Sequence, residues 1–209
     1  MKNKLFLLLI CCLGLASTSL AQTTIATKIG LGTAHPTYVY DGVAYHDNNG
    51  SSMAMALAFS RAVGRRFALG TEFGLHAYVN SLDLRTPAKR INGNHERQQV
   101  YLAFGPQYSL TKTPGLLSVN AGLALFAETK SELNDYSSTV PMSKGTSLPT
   151  GAIFGGLSTN PQFGKLGMHL EVRYTVQDIK HSLLSSATIP AKFNLHYLTV
   201  FLGLSYHFD

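Results

Sequence analysis

The chain has 209 residues, a formal net charge of +6, no tryptophan and two cysteines, Cys11 and Cys12. Charged residues are sparse at 13 %, while Gly, Tyr, Phe and Leu are plentiful, so nothing in the charge argues for a nucleic-acid partner. Beyond the N-terminus no segment is apolar for the ~20 residues that a spanning helix needs.

Met1 to Ala21 reads as a cleaved signal peptide. Lys2 and Lys4 form a positive start, Leu5 to Leu15 a short apolar run, and Ser19-Leu20-Ala21 a small-x-small cleavage site. A lipoprotein anchor at Cys11 or Cys12 is disfavoured, because Ile10 or another cysteine precedes them and the apolar run would be cut in half. Cleavage starts the mature chain at Gln22 and removes both cysteines, which excludes disulfides, thiol catalysis and cysteine metal sites. It also lowers the charge to about +4, and about 190 residues remain, enough for one domain.

From Thr23 onward the chain reads as a succession of strands, judged from parity, since alternate residues of a strand point to opposite faces. Thr23 to Ala34 sets Ile25, Ile29 and Leu31 against Ala26, Lys28, Gly30 and Gly32. His35 to Gly50 reads as a long polar loop. Ser52 to Ala62 alternates Met53, Met55, Leu57 and Phe59 with serines and alanines, and Val63 to Arg66 is a tight turn. Phe67 to Asn80 returns, with Phe67, Leu69, Phe73, Leu75 and Val79 opposed to Gly70, Glu72, Gly74, His76 and Tyr78. Ser81 to Arg97 reads as a second long loop, rich in charge.

Gln98 to Leu110 is the fourth strand, and its Pro106 predicts a bulge or kink, because proline cannot donate to a ladder. After a turn at Thr111 to Gly115, Leu117 to Glu128 forms the fifth. Thr129 to Gly145 is a third loop. Ser147 to Thr159 is a sixth strand diluted by Gly151, Gly155 and Gly156. Asn160 to Gly164 is a turn, and the seventh strand puts Leu166, Met168, Leu170, Val172, Tyr174 and Val176 opposite His169, Glu171, Arg173, Thr175 and Gln177. Asp178 to Lys192 is the last long loop.

Phe193 to Phe208 closes the chain, with Leu198, Val200, Leu202, Leu204, Tyr206 and Phe208 on one face and Thr199, Gly203, Ser205 and His207 on the other. A soluble sheet would show Lys and Glu on its wet face, whereas here the second face is small and sparsely polar. The connections alternate long and short, as expected when one end of a barrel faces outward and the other the periplasm. The pattern predicts an all-β fold: an antiparallel up-and-down transmembrane barrel of about eight strands, with lipid on the apolar face and a lumen on the other. A secreted soluble β-sandwich is the structural alternative.

An interior of about eight strands is just wide enough for side chains. Lys28, Glu72, Glu171 and Arg173 share lumen parity among small residues and are the candidates for an ion-pair plug. Without tryptophan, Phe67, Tyr108, Tyr174, Tyr206 and Phe208 near strand ends are the candidates for the interfacial aromatic belt. Arg85, Lys89, Arg90 and Arg97 crowd one loop and are candidate contacts for lipopolysaccharide phosphates.

On this architecture and on the closing segment Leu202-Gly203-Leu204-Ser205-Tyr206-His207-Phe208, the chain resembles the small outer-membrane β-barrel family of the OmpA/OmpX type, from Gln22 to Asp209. The resemblance implies location in the cell outer membrane. It also implies that Leu204, Tyr206 and Phe208 belong to a C-terminal signal for the barrel-assembly machinery, although Asp209 follows the terminal Phe. Outer-membrane lipid and lipopolysaccharide are the expected partners, with no nucleic acid, no cofactor, and a monomeric state. The family includes anchors, adhesion factors, narrow channels and a few lipid-modifying enzymes, so it does not fix an activity.

The leading expectation is a non-enzymatic barrel with a plugged lumen that works through its outer loops. A narrow porin or small-ligand carrier is the alternative. A lipid-modifying enzyme would need Ser, His and an acid together near the membrane surface, and only His181-Ser182 and His196 are suggestive. A metal held by His169 and His207, of like parity on neighbouring strands, lacks an evident third ligand.

Overall fold

The structure, a computed structural model, describes residues 22–40, 43–46, 50–85, 90–111, 116–136, 143–144, 149–179 and 192–208. The signal segment with both cysteines, the His181-Ser182 pair, Lys89 and Asp209 lie outside the described residues. The strands are β1 (Thr23–Tyr40), β2 (Val43–His46), β3 (Gly50–Ala62), β4 (Phe67–Arg85), β5 (Arg90–Ser109), β6 (Ser118–Asp135), β7 (Ser143–Lys144), β8 (Thr150–Thr159), β9 (Gln162–Phe163), β10 (Leu166–Ile179) and β11 (Lys192–Phe208).

Eight long strands form the wall in the order β11-β1-β3-β4-β5-β6-β8-β10, and β10 pairs with β11 to close the ring. Every pairing is antiparallel, and the closing seam runs from Thr23↔Phe208 to Val39↔Lys192. Closure leaves no edge strand, so ladder groups in the wall find their partners within it, as a bilayer requires. The short strands β2, β7 and β9 are appendages on β1, β6 and β10.

The burial pattern is that of an inside-out protein. Leu31, Leu75, Leu125, Leu202 and Leu204 are all more than half exposed, while Lys28, Glu72, Arg97, Glu171 and Arg173 are buried. A continuous apolar girdle around a closed ring is too large to face water and marks a membrane surface. On β4 the outward residues from Phe67 to Val79 are apolar except Thr71, and then become Ser81 and Asp83. On neighbouring strands the girdle gives way to an outward ion chain, with the Lys130 ammonium 3.8 Å from Glu96 and 3.2 Å from Glu132.

The aromatic candidates lie on the outer surface: Phe67 packs on Tyr108 at 5.0 Å and Tyr206 on Phe208 at 4.7 Å, near the end that carries the short turns. Tyr174 faces outward toward the opposite end, where its hydroxyl is hydrogen-bonded to His196 Nδ1 at 2.6 Å.

Two expectations are corrected. The stretches read as long loops at His35 to Gly50 and Ser81 to Arg97 are largely strand: β1 runs on to Tyr40, and β4 and β5 continue as a hairpin to the pair Arg85↔Arg90. Beyond the lipid both faces of a strand meet polar surroundings, so the apolar alternation stops while the ladder continues. Pro106 causes no bulge. It faces outward and keeps its register with Leu69, and the pairing with β6 only lapses between Phe104↔Leu123 and Gln107↔Asn120. The register shift lies instead at Gln98/Gln99, where Gln98 faces Lys130 and Gln99 faces Glu128, leaving Thr129 as the extra residue. Thr129 Oγ1 donates to the Gln98 carbonyl at 3.0 Å, and the bulge turns Ser131 inward after Glu128, which keeps the inward parity of the preceding strand.

Candidate functional site: the closed lumen

The lumen is built in three layers. In the lowest, Lys28 of β1, Glu72 of β4, and Glu171 and Arg173 of β10 converge from different walls. The Lys28 ammonium sits 2.6 Å from Glu72 Oε2 and 2.6 Å from Glu171 Oε2. Arg173 donates from Nη1 to Glu72 Oε1 at 2.9 Å, from Nη2 to Glu72 Oε2 at 2.7 Å, and from Nε to Glu171 Oε1 at 2.7 Å. Each cation thus bridges both carboxylates, and the formal charges cancel.

The remaining acceptor capacity is filled by three further side chains. The Tyr101 hydroxyl donates to Glu72 Oε1, Asn120 Nδ2 donates to Glu171 Oε1 at 3.0 Å, and His169 Nε2 lies 3.1 Å from Glu171 Oε2. Every carboxylate oxygen therefore has two partners, which is the condition for a buried ion network to hold. Phe201 and Phe154 cover the cations: Lys28 Nζ lies 4.8 Å from the Phe201 ring centre and the Arg173 guanidinium 4.7 Å from that of Phe154.

Small residues on adjacent strands make this crossing possible. Lys28 stands opposite Gly203 and Ala56, and Arg173 opposite Gly156. A Cβ on Gly203 would collide with the Thr27 carbonyl oxygen and lie 2.9 Å from Lys28 Cβ. The sequence places large lumen residues where a neighbour has given up its side chain.

The middle layer is aromatic. Tyr101 stacks on Phe126 at 5.3 Å, and the His76 imidazole meets Tyr197 edge-on at 4.2 Å. Tyr197 then donates to Gln177 Oε1 at 3.1 Å.

The third layer lies at the level of the outward ion chain. Arg97 Nε donates to Glu128 Oε1 at 2.7 Å with both side chains wholly buried. His95 Nδ1 is 3.0 Å from the Tyr38 hydroxyl and 3.1 Å from that of Tyr78.

Below the ion cluster, toward the short turns, the lumen opens. A cavity of about 90 Å³ rises to Lys28, Glu171 and Arg173, and a second of about 70 Å³ adjoins it at Thr24, Ser60, Gln107 and Asn160. Above the cluster a cavity of about 20 Å³ lies beside His76.

The structure thus brings Lys28, Glu72, Glu171 and Arg173 together. Of the four basic residues read as one loop, Lys89 lies outside the described residues, Arg85 and Arg90 are register partners at the end of the β4–β5 ladder, and Arg97 lies apart from them within β5 and points into the lumen. His169 and His207 also part: His169 joins Glu171, while His207 Nδ1 takes Thr24 Oγ1 at 2.9 Å and Gln162 Nε2 at 3.1 Å. Leu204, Tyr206 and Phe208 project outward from β11. The charge pattern does not single out Tyr101 and Asn120 as members of the cluster, although their parity opposes the outward Leu102 and Val119. Nor does it find the Arg97–Glu128 pair, because polarity alone marks the barrel's limits too early.

No family model and no curated relative matches the chain. Among solved structures it is similar to the outer membrane protein OprG from Pseudomonas aeruginosa, at 11 % identity and a TM-score of 0.54, over 90 % of this chain and 96 % of that one. It is also similar to the outer membrane protein AlkL in lipid bilayers, at 13 % identity and a TM-score of 0.50, over 92 % and 93 %. Ail of Yersinia pestis aligns at 14 % identity and a TM-score of 0.48, over 88 % and 99 %. The closed antiparallel ring and the apolar girdle define a transmembrane β-barrel, the fold of these outer-membrane proteins.

Proposed function

We propose that this is a non-enzymatic outer-membrane barrel, closed by its own side chains, which acts through the outer ends of its strands and their connections. The supporting observation is the completeness of the ion cluster. Both oxygens of Glu72 and of Glu171 are already shared between protein donors, and each cation already bridges two carboxylates. A permeating ion would have to displace a charge-assisted bond rather than fill an open site. The aromatic and Arg97–Glu128 layers lie beyond it in series.

Single-channel recording of the refolded protein in a planar bilayer tests this reading. Folded protein, verified by heat-modifiable gel mobility, is expected to show no steady openings, and reproducible open levels would replace the reading with a narrow porin. That second reading draws on the cavity of about 90 Å³ beneath the cluster, which is roomy enough for a small polar solute entering from the short-turn side. The outer tip offers a surface chemistry of its own. Arg85 and Arg90 are register partners on adjacent strands, and like charges at paired positions favour an anion as counter-charge. Lipopolysaccharide phosphate is the anion we assign to them, together with Lys89.

A further inference from the structure

His76 is buried to 6 % exposure in the middle layer, and neither of its ring nitrogens has a hydrogen-bond partner among the described residues. An imidazole always carries at least one N–H, and when neutral it also carries a lone pair on the other nitrogen, so it needs partners at both. Its cross-strand neighbour Gln99 likewise has an unpartnered Nε2. The ring faces a cavity of about 20 Å³ that Thr175 and Thr199 also line. A bound water needs about 10–15 Å³ and two to four polar partners. The site supplies both.

The cavity on the other side of the ion cluster is larger, and the linings of the two share only Phe154 and Arg173. Arg173 is fixed by its bonds to Glu72 and Glu171. Phe154 has no hydrogen bond to hold it and is kept in place by packing on the aromatic layer and by the Arg173 guanidinium over its ring. Its ring lies flat enough across the lumen that a Cβ on Gly122 of the neighbouring strand would come within 2.7 Å of its Cζ. Gly122 makes the room that lets the ring reach Arg173.

We infer that His76 holds bound water in this small cavity, and that Phe154, lying against Arg173, is the partition that divides it from the larger cavity on the short-turn side. The inference rests on the closed-lumen reading and adds the residue that controls solvent entry past the cluster. Water reaches His76 when the Phe154 ring swings away, with Arg173 still in place.

The test is proton NMR of the whole refolded barrel in micelles, with ring-labelled histidine. Wild-type protein is expected to show magnetisation transfer between water and the His76 ring, absent in H76F, together with slow exchange of the ring N–H. F154A is expected to speed that exchange by about tenfold or more, because entry no longer waits on a local opening. F154L, which keeps apolar bulk, is expected to fall between them and serves if F154A does not fold. Folded wild-type protein with no transfer from water to His76 would overturn the hydration site. Exchange unchanged in both Phe154 variants would overturn the partition. The closed-lumen reading stands or falls separately, on the conductance of the wild-type protein.

Discussion

Arg173 grips Glu72 with two parallel hydrogen bonds, Nη1 to Oε1 at 2.9 Å and Nη2 to Oε2 at 2.7 Å, across the interior of the barrel. β10 and β4 are not neighbours in the wall, so this fork joins opposite sides of the ring. The planar guanidinium matches the carboxylate face to face, which a lysine at the same place would not reproduce. Lys28 completes the square from β1, a third wall.

Glu72→Ala removes one corner and leaves Lys28 and Arg173 facing Glu171 alone. Truncating one partner of a buried pair typically costs about 3–5 kcal/mol, because a desolvated charge is stranded. The expected outcome is a loss of that order in urea unfolding of the bilayer-inserted protein. Glu72→Gln, which keeps the size but not the charge, should cost less but remain clearly destabilising. Wild-type stability in both would mean that the cluster does not hold the walls together.

Gly74 tests the packing beneath the charge. An added Cβ would lie 2.5 Å from the Met55 carbonyl oxygen and 2.7 Å from the Tyr101 ring. Gly74→Ala therefore has to push Tyr101 aside and with it the hydroxyl that donates to Glu72. Overpacking of this kind costs about 1–3 kcal/mol. Gly151→Ala, where nothing lies within 4 Å of the added atom, is the matched control and should leave the unfolding midpoint near wild type. Equal effects at the two positions would remove the steric argument.

The wall of the barrel is legible in the sequence because lipid and lumen impose opposite chemistry on alternate residues. Leu166 to Gln177 shows this most clearly: most outward residues are large and apolar, and the inward ones include Glu171 and Arg173. The same rule fails where its cause disappears. Above the girdle no lipid selects apolar side chains, so β4 and β5 continue without the signature, and Arg97 reads as a loop residue although it lies in the wall. The bulge at Thr129 reverses parity within β6 and carries no local mark, which hides the inward turn of Ser131. Pro106 misleads in the other direction. Its missing N–H only interrupts one ladder, and the ring faces lipid where it costs the register nothing. Membership of the ion cluster is legible for the charged corners, since charge on the lumen face must be paired. Tyr101 and Asn120 give no such signal, because a neutral lumen residue has many ways to be satisfied.

The basic residues of the β4–β5 region should separate into two kinds. Replacing Arg85, Lys89 and Arg90 together by Ala is expected to weaken binding to lipopolysaccharide vesicles and to reduce the salt dependence of that binding, with unfolding little changed, because charges at a hairpin tip act through screened electrostatics. Arg97→Ala should do the reverse. It strands the buried Glu128 carboxylate, 2.7 Å from the Arg97 Nε, and costs about 3–5 kcal/mol while leaving vesicle binding intact. Unchanged lipopolysaccharide binding in the triple variant would end the contact proposal.

The girdle makes the firmest demand. Leu202 projects from β11 with 58 % of its surface exposed, and a charge there has no water to reach without moving along the wall. Leu202→Arg is expected to destabilise the inserted barrel by about 2–4 kcal/mol, the range for a cation near the bilayer midplane. Ser81→Arg changes an outward position on β4 beyond Val79, where the girdle has ended, and should cost about 0–1 kcal/mol. Lumen charge is tolerated only where partners await it, as Lys28 shows between two carboxylates. An arginine at Leu202 has no such partner, so the difference between the two variants measures the lipid itself. It should vanish when the same proteins are unfolded from detergent micelles thin enough for the side chain to reach water, and a difference that persists there would assign the penalty to the wall rather than to the membrane.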